Sequence, residues 1–542
     1  MKIKRISIVL LLTTLILFLS CGGVSEIIST PIKNIDTIPL KVSDLTETEK
    51  KNWGHLDLEK DTIPGMSVDK AYIELIKRKK GEKVIVAVID AGIDINHEDL
   101  DDIIWVNKDE IPNNGIDDDN NGYIDDINGW NFLGDTYNEQ LEYTRLIASN
   151  NTSDPRYSEA KTLLEKEHYK YSNNKAHYEQ ILQQLKTIDN AFVKEFKTKA
   201  YTYKQIQDLK TTGELLNRYK AFALQIQGNG VESIPIAIKE ITEDIHRFSE
   251  RLNYHFNVNF SGRKTKDDIN DLSDTDYGDT NVKPKEKSES HGTHVAGIIA
   301  AERNNGKGAN GIANNVEIMA IRNTPNGDEY DKDVALAIRY AVDNGAGVIN
   351  MSFGKSFSPH ADWVREAIKY ASDNNVVVIH GAGNDSKNVD IEPNFPDDNV
   401  NFVEISNSYI RVGSLTPKYG SKLVSSFSNY GKNNVDIFAP GSEIYSTMPN
   451  NAYEFKSGTS MAAPAVAGIA ALIRSQYPNL SAAQVKQVIL DSGLPISTKI
   501  IVGGDVSNIK PFLDLSKSGK IANAYNALIM ASKLKQNEAQ HN

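Results

Sequence analysis

The sequence predicts an α/β fold: a doubly wound, mostly parallel sheet with helices on both faces, plus an inserted α-helical subdomain. Three observations predict it. Val84-Ile85-Val86-Ala87-Val88-Ile89 is an unbroken apolar run, which suits a strand buried on both faces of a parallel sheet. Late in the chain, strand-like stretches at 316–321, 347–351 and 376–379 alternate with helix-like stretches at 332–342 and 361–372. That alternation implies right-handed crossovers between parallel strands. Between these halves, roughly 136–256 is rich in Lys, Glu, Gln and Tyr and poor in Gly and Pro.

Each element follows from local pattern. In the central stretch Tyr178, Ile181, Leu182, Leu185, Ile188, Phe192 and Phe196 keep helical spacing. So do Ile238, Ile241, Ile245, Phe248 and Leu252, with breaks at Gly213 and Gly228-Asn229-Gly230. Amphipathic helices of this kind bury one stripe against each other or against the main body. The expected organisation is therefore a leader at 1–20, a tether at 21–52, an α/β body in two parts at 53–135 and 257–530, the helical insertion at 136–256, and a polar tail at 531–542.

The leader reads as an export signal. Lys2, Lys4 and Arg5 precede an apolar run from Ile6 to Leu19, too short to span a bilayer comfortably. Cys21, the only cysteine, stands where cleavage is expected and resembles the lipidated cysteine of a bacterial lipoprotein box; Phe18 departs from the small aliphatic residue usual there. The expectation is a chain exported and anchored to a bacterial membrane through lipid on Cys21, at the periplasmic face or the cell surface. A lone cysteine allows no intramolecular disulfide. The net charge of −12 and pI near 5.5 argue against a nucleic-acid partner, since phosphate binding wants a basic face.

Three segments carry chemistry. Asp90 closes the first strand, where open α/β sheets place their ligands. His291 opens His291-Gly292-Thr293-His294-Val295-Ala296-Gly297, at the start of an apolar helix. Ser460 sits in Gly458-Thr459-Ser460-Met461-Ala462-Ala463-Pro464, again at a helix start, where backbone N–H groups and the helix dipole favour developing negative charge. A serine hydroxyl needs a base, and that base needs a carboxylate to orient it. His291 and His294 lack the glutamate and third ligand of a zinc site, so His291 is assigned as base and His294 as structural. A G-x-S-x-G elbow, as in lipases and esterases, is absent because Thr459 and Met461 flank the serine and Ala462 follows.

The order Asp, His, Ser, with these flanking residues, resembles the subtilisin-like serine peptidases, the subtilase family. The likeness covers about 53–135 and 260–530. The resemblance implies a serine endopeptidase acting on polypeptides through an acyl-enzyme, with Ser460 as nucleophile, His291 as base and Asp90 as its orienting carboxylate. It also implies that Asn384, in Gly381-Ala382-Gly383-Asn384-Asp385, donates to the oxyanion beside the Ser460 backbone N–H. Substrate would pair as an added strand with Ser352-Phe353-Gly354, and the first specificity pocket would take walls from that segment and from Ala382 and Gly383, giving broad specificity. Ala91 replaces the hydroxyl residue common after this aspartate, which unsettles local hydrogen bonding there. The stretch between Cys21 and Trp53 is too short for the usual folding propeptide of the family.

No cofactor is required for this chemistry. Asp117, Asp119, Asn121, Asp125 and Asp126 crowd into one loop with Gly122 at its turn, resembling the start of an EF-hand and acidic loops of some subtilases. Asn128 stands where the closing glutamate belongs, so structural Ca2+ and a solvated acidic turn both remain open. Asp267, Asp268, Asp271, Asp274 and Asp276 read as a solvated loop. Because the insertion joins the aspartate segment to the histidine segment, it is expected to gate substrate or dock a protein partner, or else only to decorate one flank.

Overall fold

Strand alternation fixes the two faces of the central layer. The computed structural model describes residues 29–33, 41, 43–401 and 403–541; the expected leader and Cys21 lie outside them. Within β1 (Val84–Asp90), Val86 and Val88 enter one apolar core, while Ala87 and Ile89 enter a second core on the opposite face. Both sides are buried, which is why the sequence shows an unbroken apolar run there.

The sheet is completed by β2 (Gly129–Asn131), β3 (Val316–Arg322), β4 (Val348–Met351), β5 (Val377–Gly381), β8 (Tyr409–Leu415), β9 (Ile437–Pro440), β12 (Leu494–Pro495) and β15 (Lys520–Ile521). Four short strands stand outside it: β6 (Asn399–Val400) with β7 (Val403–Glu404), and β13 (Lys499–Ile501) with β14 (Ile509–Pro511). A further hairpin joins β10 (Ile444–Met448) to β11 (Ala452–Lys456). The sheet order is β12-β15-β9-β8-β5-β4-β1-β3-β2, parallel throughout except for the β12–β15 edge pair. The chain moves from β1 toward β2 and β3, then from β4 toward β5 and β8. The order therefore reverses between β1 and β4, and a crevice opens at their carboxyl ends. Asp90 ends β1, and Ser352 follows β4.

Helices cover both faces. In chain order, those of six residues or more among the described residues are α1 (Glu47–Asn52), α2 (Glu142–Ala148), α3 (Tyr157–Phe196), α4 (Tyr203–Asp208), α5 (Glu214–Gly228), α6 (Ile234–Glu250), α7 (His291–Ala300), α8 (Asp331–Asp343), α9 (Ala361–Asp373), α10 (Thr459–Gln476), α11 (Ala482–Ser492) and α12 (Ala524–His541). α7 and α10 pack on one face and α8 and α9 on the other. The body starts earlier than Trp53. Thr46 and Glu49 form a reciprocal capping box that starts α1, and Ile32 is buried with its N–H on Asn526 Oδ1 at 2.9 Å. Nor does structure stop at 530, because α12 runs on and buries Ala531 and Ser532.

Between Glu142 and Glu250 the central stretch forms the helices α2 to α6 with short connections, followed by a π-turn at Arg251–His255. α5 begins after Gly213 and ends at Gly228, at the two glycine breaks in the sequence. Forty residues make α3 about 60 Å long. Its distal half shares a separate core, in which Leu185, Ile188 and Phe192 meet Tyr201, Tyr203, Ile206, Ala223, Ile234 and Ala237. Nearer the body, Tyr143, Ala160, Leu164 and Phe256 pack with Phe357, which joins these helices to the α/β layers.

Candidate active site

β1 delivers Asp90 to the crevice fully buried, and its Oδ1 accepts the Ala91 N–H at 2.7 Å. His291 is the first residue of α7, with its side chain 37% exposed. Its Nδ1 meets Asp90 Oδ1 at 2.7 Å. The close approach needs Gly292, since a Cβ there would lie 2.4 Å from the Ala91 carbonyl oxygen. Asp90 Oδ2 is buried without a hydrogen-bond partner among the described residues. Ala91 offers it no hydroxyl. The turn is held instead by Glu289, whose Oε1 accepts from Gly92 N–H at 2.8 Å and from Arg322 Nε at 2.6 Å. Glu289 lies two residues before His291, so one carboxylate ties the aspartate turn to the histidine helix. Sequence reading did not single it out.

Ser460 is the second residue of α10, after Gly458. Its hydroxyl donates to the Ser352 carbonyl at 3.0 Å, and the Ser352 hydroxyl donates back to the Ser460 carbonyl at 3.0 Å. Among the described residues no hydrogen bond joins Ser460 to His291, yet both line one cleft of about 920 Å³ together with Asp90 and Asn384. Apo sites often hold such pairs apart until substrate enters.

Asn384 follows β5. Its Oδ1 accepts from the Thr459 N–H at 2.8 Å and the Thr459 hydroxyl at 3.1 Å, which leaves Nδ2 as the free end of the amide. Ser460 N and Asn384 Nδ2 lie 3.6 and 3.7 Å from the point where a Gly458 side chain would begin. Ser352, Phe353, Gly354 and Gly383 also line the cleft. Ala382 does not. It is fully buried, with its N–H on the Val412 carbonyl and its own carbonyl on Asn429 Nδ2. Asn429 is a second residue the sequence did not reveal: its Oδ1 also accepts from the Asp385 and Lys387 N–H groups, so it shapes the whole loop around Asn384. Gly383, at φ +100, leaves no room for a Cβ against Asn429 Nδ2.

His294 is buried in α7 with Nε2 on the Glu454 carbonyl at 3.1 Å, and burial holds its pKa down to about 3. A neutral, enclosed imidazole of that kind suits a structural role. Lys456 also lines the cleft; burial lowers its pKa against the opposing pull of Glu454.

The acidic loop divides into two sets. Glu110, Asp119 and Asp126 place carboxylate oxygens within 4.8 Å of one another. Glu110 was not among the expected ligands. Asp117 and Asp125 accept backbone N–H groups of Asn121, Gly122, Asn114 and Gly115, and Glu110 likewise accepts those of Asp118, Asp119 and Asp125. Asn121 donates to both Asp119 and Asp126, and burial raises Asp126 to about 6. The second acidic stretch is not wholly solvated. Asp267 has no exposed side-chain surface and pairs with Arg263 and Lys332, each at 2.8 Å. Arg263 in turn bridges to Asp333 at 2.9 Å, so this carboxylate is a buried ion-pair partner.

The chain is similar in sequence to several known proteins. A thermophilic serine proteinase of Bacillus sp. (strain AK1) is 42% identical over 205 residues, 38% of this chain and 47% of that protein. Thermitase of Thermoactinomyces vulgaris is 38% identical over 223 residues, 41% of this chain and 73% of thermitase. The chain thus spans about half the length of the first of these relatives. Among solved structures, a protease of Pseudoalteromonas arctica matches at 31% identity with a TM-score of 0.36, covering 44% of this chain and 70% of that one. The model of the Subtilase family matches residues 81–509, a span that takes in β1, α7 and α10 together, and the chain belongs to that family of subtilisin-like serine peptidases.

Proposed function

We propose that this chain is a serine endopeptidase that cleaves polypeptides through Ser460, His291 and Asp90. The observation that carries the reading is the 2.7 Å contact between His291 Nδ1 and the buried Asp90 carboxylate, in the cleft that also holds Ser460 and Asn384. Asp90 keeps the ring proton on Nδ1, so Nε2 is left as the acceptor. The Ser460 hydroxyl turns from the Ser352 carbonyl to Nε2, gives up its proton and attacks the scissile carbonyl carbon. The new alkoxide is stabilised by Ser460 N–H, Asn384 Nδ2 and the α10 N-terminus. His291 then hands its proton to the leaving amine. Water repeats the sequence on the acyl-enzyme and regenerates the serine. Substrate adds as a strand beside Ser352-Phe353-Gly354.

A fluorophosphonate probe tests this reading. Labelling of wild type, with labelling and casein cleavage both lost in Ser460→Ala, is expected. Equal labelling of the two proteins would overturn it.

In the same reading, 53–135 and 257–530 carry the catalytic body, with α1 and the end of α12 packed onto it, and 136–256 is the insertion. Three oxygen-bearing carboxylates fit a hard divalent cation, so Glu110, Asp119 and Asp126 would hold structural Ca2+, which screens their mutual repulsion. The export signal and Cys21 support an exported, lipid-anchored protein of a bacterial envelope. No helix of the described residues is long and apolar enough to cross a membrane.

A further inference from the structure

The cleft that holds Asp90, His291 and Ser460 extends beyond the α/β body. One of its walls is a single face of α3, made by Leu163, Lys166, Glu167, Lys170 and Tyr171, with Arg251 beside them. The spacing i, i+3, i+4, i+7, i+8 is that of one helix face laid along the opening. This wall is fixed relative to the strand on which substrate would add. Lys355, directly after Gly354, pairs with Glu142 of α2 at 2.8 Å with both side chains nearly sealed from solvent. Arg145 Nη1 donates to the Asp328 carbonyl at 2.8 Å, and Arg156 Nη1 to the Ser356 carbonyl at 2.8 Å. The apolar contact of Tyr143 and Phe256 with Phe357 closes the joint.

The chemistry of the wall is cationic in a protein of net charge −12. Among the described residues Lys166 and Arg251 have no ion-pair partner. Lys170 shares Glu167 at 3.3 Å. Lys170 Nζ and the Arg251 guanidinium both lie over the Tyr171 ring, at 5.4 and 5.8 Å from its centre. Three cations thus face the cleft with one carboxylate among them. At the same end Glu329 is buried, which raises it to about 8, and half-buried Asp328, also raised by desolvation, accepts the Glu142 N–H at 2.8 Å. A partly desolvated arginine with unused donors matches a carboxylate by its fork geometry.

We propose that the inserted helices add a cationic subsite, centred on Arg251, Lys166 and Lys170, that recognises an acidic side chain of the polypeptide substrate on the acyl side of the scissile bond. The subsite rests on the peptidase reading above, and it makes the insertion a determinant of sequence preference at a distance from the reacting bond.

The test uses full-length enzyme and internally quenched peptides that carry Glu, Gln or Lys at one position at a time upstream of a common cleavage site. Each kcat/KM is divided by the same protein's value on a short substrate that ends near the scissile bond. Wild type should favour Glu over Lys by about tenfold at one or two upstream positions, mainly through KM, as one ion pair of this kind supplies. Salt of roughly 0.5 M should shrink the preference. Lys166→Glu with Arg251→Glu should reverse it. If that variant does not fold, Lys166→Glu with Lys170→Glu, both on the exposed side of α3, should do the same. A Glu/Lys ratio near one at every upstream position in wild type, or one unchanged by charge reversal, overturns the subsite. Failure of wild type to cleave any peptide or to take up a fluorophosphonate would instead remove the peptidase reading, and the subsite with it.

Discussion

Replacing Glu142 by glutamine should cost stability in a way that depends on pH. Glu142 is buried, and burial alone would raise its pKa; attraction to Arg145 and Lys355 outweighs this and holds it down to about 2. Its unfolded value is 4.5. A carboxylate depressed on folding contributes stability that is present above the unfolded pKa and lost as pH falls through the folded one. The contribution is therefore about 3 kcal/mol at pH 7, at 1.36 kcal/mol per pKa unit. It shrinks to about 2 kcal/mol near pH 3.5 and fades toward pH 2. Breaking a buried pair can cost about 3–5 kcal/mol when the partner is stranded. Here the cations keep other partners: Lys355 retains Asp331 at 2.9 Å and the Glu329 carbonyl at 2.7 Å, and Arg145 retains the Gln140, Asp328 and Glu329 carbonyls. The lower end of that range therefore applies. The assay is urea unfolding of Ser460→Ala protein with and without Glu142→Gln, which removes self-digestion, at pH 7, 4.5 and 3.5. A difference below about 1 kcal/mol at pH 7, or one that does not narrow with acid, would refute the linkage argument.

Three further outcomes are expected. Gly292→Ala should abolish cleavage of a short peptide and lower the melting temperature, because the added methyl collides with the Ala91 carbonyl oxygen and forces α7 away from the aspartate turn. Asn429→Ala strips the Asn384 loop of the side-chain bonds to Ala382, Asp385 and Lys387. At roughly 1 kcal/mol each they sum to about 3 kcal/mol, and kcat should fall more than KM rises in steady-state assays. For the acidic loop, Asp126 is raised by burial to about 6, so without a cation its ionisation between pH 4 and 6 destabilises the fold. The melting temperature in chelator should fall across that interval, and millimolar Ca2+ should flatten the slope; identical curves would exclude the cation.

Much of the α/β body was legible because its signals are local. The run at Val84–Asp90 is apolar since both faces of a central parallel strand are buried, and Gly292 beside His291 marks a place where backbones nearly touch. The two glycine breaks mark the ends of α5 because they interrupt its helical period. Where the reading erred, chain-local chemistry had been read without its distant partner. Asp267 looks like one acid among several until Arg263 and Lys332 close on it. Glu110 likewise lies outside the acidic motif, yet the fold sets its carboxylate beside those of Asp119 and Asp126.

Glu289 and Asn429 belong to a harder class. Neither stands in a pattern that periodicity or spacing can detect, because each acts by collecting donors from segments remote in sequence. Glu289 reaches Gly92 across 197 residues, and Asn429 reaches Asp385 across 44. The same holds for the wall formed by α3. Lys166 and Lys170 read as ordinary solvated charges on an amphipathic helix, and nothing local says that Arg251 stands beside them in a cleft. Their place is set in part by Glu142, which joins the insertion to Lys355, next to the Ser352–Gly354 segment that meets the serine. An insertion joined to this segment and its surroundings by a sealed ion pair, by Arg145 and Arg156, and by the Phe357 contact cannot drift without moving them. Glu142→Gln should therefore loosen selection between acidic and basic long peptides as well as lower stability, and a variant that lost stability yet kept full selectivity would separate the two effects and locate the joint elsewhere.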